Sequence, residues 1–234
     1  MNNYYAVQAF KITIPVLFGY LAIGIPFGLM LVNAGYPWWL APVMSVLMYA
    51  GAGQYMAVGL FASGASLSVI AIAMLFLNIR HIVYGLSLIT PFKDTGKWKP
   101  YLIFALTDET YALMTGCSVP KGAEPGPFYG FIALLDHSYW ILGSCIGALA
   151  GTLIPFSFEG VDFALTALFA VLLIDQLRKT RDVVPPLVGA AATVFAILFV
   201  PARHILVTAL AAGVTVLAVV GKTRKNAGKE EPCR

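Results

Sequence analysis

The chain alternates between long apolar runs and short breaks of polar, glycine and proline residues. Most runs approach the roughly 20 residues a helix needs to cross a hydrocarbon core of about 30 Å. The first covers about 12–34 and carries Pro15, Gly24, Pro26 and Gly28. The second, about 38–62, opens on Trp38-Trp39, a pair suited to the membrane–water boundary, and is interrupted by Gly51-Ala52-Gly53-Gln54. The third, about 66–90, holds Asn78-Ile79-Arg80-His81 near its middle, and a polar loop with Lys93, Asp94, Lys97 and Lys99 follows. The fourth, about 100–118, contains Thr107-Asp108-Glu109-Thr110 and ends in a Gly/Pro-rich loop over 119–127. The fifth, about 128–153, has Asp136-His137 in its outer third, and the sixth, about 162–177, ends at Asp175-Gln176 before the basic Arg178-Lys179-Thr180-Arg181 loop. Residues 184–220 read as two short spans or one long span split at Pro201-Ala202-Arg203-His204.

Composition agrees with this pattern. Apolar residues make up 59% of the 234 and charged residues 11%, against about 25% charged in soluble domains. So few charges cannot cover a water-facing shell, and the mean hydropathy of +0.83 points the same way. The fold class expected is an all-α integral membrane protein, a polytopic bundle of about seven or eight helices, some of them broken. Residues 1–221 form one transmembrane domain and 222–234 a basic tail. The first eleven residues, MNNYYAVQAFK, lack the basic opening and small-residue cleavage site of a signal peptide, so the first run reads as a retained span. Cys117, Cys145 and Cys233 have no metal-ligand or disulfide spacing and read as structural.

The net charge of +4 fixes orientation and gives no reason to expect nucleic-acid binding. Lys222, Arg224, Lys225, Lys229 and Arg234 crowd the tail. With eight spans and both termini in the cytoplasm, the tail, the 178–181 loop, Lys11 and Lys121 lie inside, and Lys93, Lys97, Lys99 and Arg203 lie outside. That favours an inner-membrane protein with a cytoplasmic tail, although the 91–99 loop opposes it. Phe76–Ile82 resembles Phe199–Ile205 at an offset of 123, which also carries Gly24 and Gly28 onto Gly147 and Gly151. Repeats of about 12–118 and 128–220 are one reading, since transporters are often built this way. Chance similarity between apolar segments is the other.

Charged side chains cost roughly 2.5–3.5 kcal/mol at the bilayer centre, so their presence there needs a reason. They gather at Asn78/Arg80/His81, Asp108/Glu109, Asp136/His137 and Asp175/Gln176. Arg80 cannot shed its proton and must be paired or hydrated, with Asp108, Glu109 or Asp136 as partner. Asp108 and Glu109 point about 100° apart on a helix, so only one can face that partner. Asp108, Tyr111 and Thr115 share one face and predict a polar stripe turned to the bundle interior. An ion pair that only holds two spans together is the alternative, but four separate polar clusters are more than packing needs. His81 and His137 adjoin charged residues and suit a proton relay, or else are neutral rings bonded to a carbonyl. Gly24-Ile25-Pro26-Phe27-Gly28 and Gly51-Ala52-Gly53-Gln54 can break their helices and expose backbone groups to a substrate, or can serve close packing. Gly143, Gly147 and Gly151, four residues apart, form a smooth packing ridge. No nucleophile elbow, phosphate loop or metal-spaced histidine pair is present, which excludes the familiar enzyme classes and gives no reason to expect a cofactor.

Pro26-Phe27-Gly28, Ala50-Gly51-Ala52-Gly53-Gln54, Asn78-Ile79-Arg80-His81 with Tyr84, and Asp108-Glu109, in this order, resemble the AzlC-type family of branched-chain amino-acid permeases. Asp175-Gln176 fits as well, and the likeness runs from about 10 to 220. The resemblance implies an exporter of valine, leucine or isoleucine that works with a small membrane partner of the AzlD type. A zwitterion in a membrane needs a cation or free N–H groups for its carboxylate and a carboxylate for its ammonium. Expected substrate-binding residues are therefore Gly51, Gly53, Gln54, Asn78, Arg80 and Asp108. Expected proton-coupling residues are His81, Asp108, Glu109, Asp136 and His137, because no nucleotide-binding motif supplies another energy source. A channel or importer for another small solute, or a structural or regulatory membrane subunit, stands as the alternative.

Overall fold

The computed structural model describes residues 3–120, 122–153, 182–201 and 205–227, with isolated positions between 170 and 178. Lys121, Asp175, Gln176, Arg203, His204 and the end of the tail lie outside the described residues, so the expectations placed on them, and half of the 199–205 repeat match, do too. All regular structure among the described residues is helical. Two compact units are distinct: residues 1–63 with 77–168, and residues 64–76 with 169–234.

In the first unit, α1 (Asn3–Asn33) and α8 (Pro125–Leu153) are the two long members. They run parallel. Thr13 meets Tyr139, Gly24 meets Gly143, Gly28 meets Gly147 and Ala148, and Val32 meets Gly151, so contacts advance together along both chains. The glycines make this possible. A Cβ on Gly24 would sit 3.2 Å from the Gly143 backbone, and one on Gly147 would fall on the Ile25 carbonyl. Small residues let membrane helices approach until backbones touch, which gains dispersion contacts where no hydrophobic force is available. The ridge expected of Gly143, Gly147 and Gly151 is thus present, and its partner is α1.

The break expected at Gly24–Gly28 is absent: α1 continues through Pro15 and Pro26. Proline removes one intrahelical bond, and neighbouring helices can supply the missing partners in a membrane. Here Tyr55 donates to the Ile23 carbonyl at 2.6 Å, beside the carbonyl that Pro26 deprives of its donor.

The other spans of this unit are divided. α2 (Leu40–Leu47) and α3 (Gly51–Ala62) are separated at Met48–Ala50, where Tyr49 has φ of 39°. That places the expected second-span break just before the Gly51–Gln54 segment. α4 (Leu67–Asn78), which begins in the second unit, and α5 (Arg80–Ser87) are separated at Ile79. A 3₁₀ turn (Gly96–Trp98) leads into α6 (Lys99–Phe104), and α7 (Asp108–Gly116) follows a buried turn over Ala105–Thr107. The Thr107 hydroxyl caps α7 by accepting from the Thr110 N–H. In the second unit, α9 (Val184–Phe199) packs on α10 (Ile205–Ala227), with Ala192 facing Gly213.

Three helices of full length are apolar enough to cross a membrane among the described residues: Ala6–Asn33, Leu67–Ser87 and Pro125–Leu153. The expected seven or eight spans, some of them broken, are matched in part: the remaining apolar stretches among the described residues form shorter helices. An eight-residue α2 rises only about 12 Å, so it needs α3 to reach across. Large apolar side chains such as Phe18, Leu67, Leu75 and Leu86 are more than 60% exposed, as a lipid-facing surface requires.

Overpacking a glycine contact costs about 1–3 kcal/mol. Gly147→Ala is expected to lower the thermal midpoint in detergent, whereas Gly19→Ala on α1, with nothing within 4 Å of the new methyl, should leave it unchanged or raise it. Thermal unfolding followed by tryptophan fluorescence checks the pair.

Candidate functional site

Three polar constellations lie inside the first unit. In the first, Arg80 Nη1 donates to Asp108 Oδ2 at 2.5 Å, the only ion pair among the described residues, with side chains 32% and 26% exposed. The chain geometry explains it. Arg80 begins α5 and Asp108 begins α7, so each leaves a helix end, and the acid also complements the positive N-terminal end of α7. Arg80 Nε and Asp108 Oδ1 are buried with no hydrogen-bond partner. His81, next to Arg80, holds its Nδ1 3.0 Å from the Asn78 carbonyl. A carbonyl only accepts, so Nδ1 carries a proton there.

The second constellation connects the other two acids. Tyr20 on α1 donates to Glu109 Oε2 at 2.9 Å and lies 2.7 Å from Thr107 Oγ1. Thr107 donates to Thr110 Oγ1 at 3.0 Å, and Thr110 donates to Asp136 Oδ2 at 2.9 Å. Asp136 is fully buried, and its Oδ1 has no partner. It sits near the centre of α8, not in the outer third, because α8 starts earlier than the apolar run indicated.

The third is a closed lock. Gln54 is fully buried: its Oε1 accepts from the Trp140 indole at 2.7 Å, and its amide donates to Ser45 Oγ at 3.1 Å. Ser45 in turn bonds Ser144 at 2.7 Å. Gly51 faces the Trp140 ring, which a Cβ would approach to 3.0 Å. Beside it, His137 holds Nε2 3.1 Å from the Ser45 carbonyl and Nδ1 3.1 Å from the Tyr101 hydroxyl. The carbonyl fixes the proton on Nε2, so the neutral ring accepts from Tyr101. Tyr49 stacks on that ring with centroids 4.2 Å apart. A positive φ on a bulky residue costs about 1–3 kcal/mol and survives only where the surroundings enforce it.

The expected residues are thus distributed. Arg80, His81, Asn78 and Asp108 come together, Glu109 and Asp136 are connected through hydroxyls, Gly51, Gln54 and His137 line the buried lock, and Gly53 is buried in α3. The interior-facing stripe of Asp108, Tyr111 and Thr115 is corrected: Thr115 is exposed and bonds its own helix at Tyr111, while Thr110 and Met114 face inward. Tyr20, Tyr49, Ser45, Thr107, Thr110 and Trp140 were not expected at a site. Thr107 was legible, because a threonine immediately before two acids is a helix-start signal that places a break at 105–107.

Apolar, outward-facing helices enclosing ionised and hydroxyl groups define a polytopic helical membrane protein built to hold charge in its interior. The model of the AzlC protein family matches residues 15–154, and the chain belongs to that family. The branched-chain amino acid transport protein AzlC of Bacillus subtilis is 34% identical over 94% of this chain and 87% of its own length. An "uncharacterized membrane protein" of Helicobacter pylori is 43% identical over 75% of the chain and 77% of its own length. The inner membrane protein YgaZ of Escherichia coli is 29% identical, with 80% of each chain covered. No solved structure matches the chain.

Residues in direct contact couple by about 0.5–3 kcal/mol in double-mutant cycles. Arg80→Ala and Asp108→Ala should each lower stability, and the double variant should lose less than the sum. Gln54→Leu strands the Trp140 N–H and is expected to cost about 1–3 kcal/mol. Detergent unfolding midpoints measure both.

Proposed function

We propose that this chain is a secondary transporter that exports branched-chain amino acids (valine, leucine and isoleucine) across the inner membrane, driven by proton entry and working with a small AzlD-type membrane subunit. The observation that carries the reading is the Arg80–Asp108 pair. Two opposite charges held together, each with one unpartnered atom, form a mirror image of an amino-acid zwitterion. A substrate that inserts between them gives its carboxylate to Arg80 and its ammonium to Asp108. One ion pair then becomes two, with no uncompensated charge left in a low-dielectric site. A solute with only one of the two charges cannot complete the exchange. Asn78 flanks the pair at the α4–α5 turn, and Asp136 is the second candidate for the ammonium.

The relative from Bacillus subtilis supports the substrate class, since its name describes branched-chain amino acid transport. Gly51, Gly53 and Gln54 stand at a divided helix, and in this reading they open toward the substrate when the lock releases. Proton entry acts on Glu109, Asp136 and Asp108, with His81 and His137 beside them. Neutralising the acid that holds the ammonium frees the substrate on the outer side.

The test is counterflow of labelled valine into proteoliposomes, with this chain alone and with the small partner co-expressed, with and without an imposed proton gradient. Flux that needs the partner and follows the gradient is the expected result. Arg80→Ala should cut it about tenfold or more, since an unpaired buried carboxylate costs several kcal/mol. No valine flux from folded protein under any condition would overturn the substrate assignment, and flux indifferent to the gradient would replace coupled export by a channel.

A further inference from the structure

Five oxygen atoms lie in series between Glu109 and Asp136: Glu109 Oε2, Tyr20 Oη, Thr107 Oγ1, Thr110 Oγ1 and Asp136 Oδ2. The four gaps are 2.9, 2.7, 3.0 and 2.9 Å, all within hydrogen-bond range. Each gap needs one hydrogen. The three hydroxyls supply one apiece, so two ionised carboxylates leave one gap empty. With Tyr20 donating to Glu109, Thr107 to Thr110 and Thr110 to Asp136, the empty gap is Tyr20–Thr107. That is the shortest of the four, and oxygen lone pairs would face each other there at 2.7 Å. Thr107 Oγ1 also accepts the Thr110 N–H at 3.2 Å, which supplies nothing to this gap. The Tyr49 hydroxyl lies beside Tyr20 and Thr110 but makes no hydrogen bond, so the geometry asks for a fourth hydrogen within the series, which a carboxylic acid at one end provides.

We infer that Glu109 and Asp136 share a single proton through the hydroxyls of Tyr20, Thr107 and Thr110, and that this chain is the relay by which a proton reaches the buried end of the site. It has two fully bonded states. In one, Glu109 donates to Tyr20, Tyr20 to Thr107, Thr107 to Thr110, and Thr110 to an ionised Asp136. In the other, every bond points the opposite way and Glu109 is ionised. Passing between them breaks four O–H bonds and forms four, and moves one proton from one acid to the other with no hydroxyl left charged. The ends differ in access. Glu109 is half-buried and Asp136 has no exposed surface, so Glu109 is where the proton enters. Other titratable groups facing the relay are Arg80 and Tyr84 from α5, Asp108 beside Glu109, Tyr49 from the α2–α3 break, Tyr101 from α6 and His137 beside Asp136.

What the relay drives rests on the proton-coupled reading above, but its existence does not, and infrared spectroscopy tests it without substrate. At neutral pH the wild-type protein is expected to show the carbonyl stretch of a protonated carboxylic acid that shifts when aspartate or glutamate carries a labelled carboxyl. No such acid overturns the inference, with no variant required. Glu109→Gln and Asp136→Asn each place an amide donor at one end and supply the fourth hydrogen. The acid band is therefore expected to vanish in both variants, although each removes only one carboxyl. A band that persists in either one belongs to a single residue and overturns sharing. In proteoliposomes, Thr110→Val should abolish gradient-driven valine flux and Thr110→Ser should restore it. Gradient-driven flux that survives Thr110→Val overturns the relay. The expected infrared pattern together with no valine flux supports the relay and removes the substrate assignment alone.

Discussion

The contact between the backbones of α1 and α8 is the constraint on which the first unit depends. Gly24 and Gly28 on one helix meet Gly143 and Gly147 on the other, and no side chain separates them. Water expulsion cannot drive such a contact in lipid, so it rests on dispersion and shape, both of which fail if one methyl intrudes. Two of the three polar constellations are hung from this pair. Tyr20 comes from α1; Asp136, His137, Trp140 and Ser144 come from α8. The shorter helices then close against fixed hydroxyls and rings, and the Tyr20–Trp140 and Phe27–Trp140 ring contacts, at 5.5 and 6.1 Å, hold the indole in place.

The interior answers its burial costs in two ways. Around Gln54 every buried side-chain polar atom has a partner, and the result is a closed lock. Around Arg80–Asp108 and at Asp136 the accounting is left open, with Arg80 Nε, Asp108 Oδ1, Asp136 Oδ1 and the Tyr49 hydroxyl all lacking partners. Unsatisfied buried groups are rare because each costs about 1–3 kcal/mol. With Gln8 Oε1 there are five among the described residues of this unit, and the four around the strained Tyr49 and the acids mark where this conformation is least settled.

Much of this was legible in the sequence. Membrane insertion followed from length and charge, the small-residue ridge from spacing, and the candidacy of Asp108 as partner of Arg80 from the paucity of acids. The breaks were legible in part: the one before Gly51 was expected and the one at Ile79 was not. Proline in α1 reads as a stop in water, yet here Tyr55 donates to the carbonyl beside the one it leaves unpaired. Conversely, the turn at Ala105–Thr107 falls in an apolar stretch, where only Thr107 ahead of the two acids marks it. The role of Gln54 was obscured because its partners, Ser45 and Trp140, lie 9 and 86 residues away. Hydroxyls were missed for a different reason: a threonine next to two acids attracts less notice than the acids, although it supplies the hydrogens that connect them.

The parallel run of α1 and α8 also has a topological meaning. If both cross the bilayer, they cross in the same sense, so the chain leaves α1 on one face and enters α8 from the other. The stretch between them must then traverse the membrane an odd number of times. Counting α2 with α3, α4 with α5, and α6 with α7 as one passage each gives three, which satisfies parity; dropping or adding one passage does not. Three passages fit this parity if each divided pair crosses whole, two do not, and the turn after Asn33 and the loop before Pro125 belong to opposite compartments whichever way the protein is inserted.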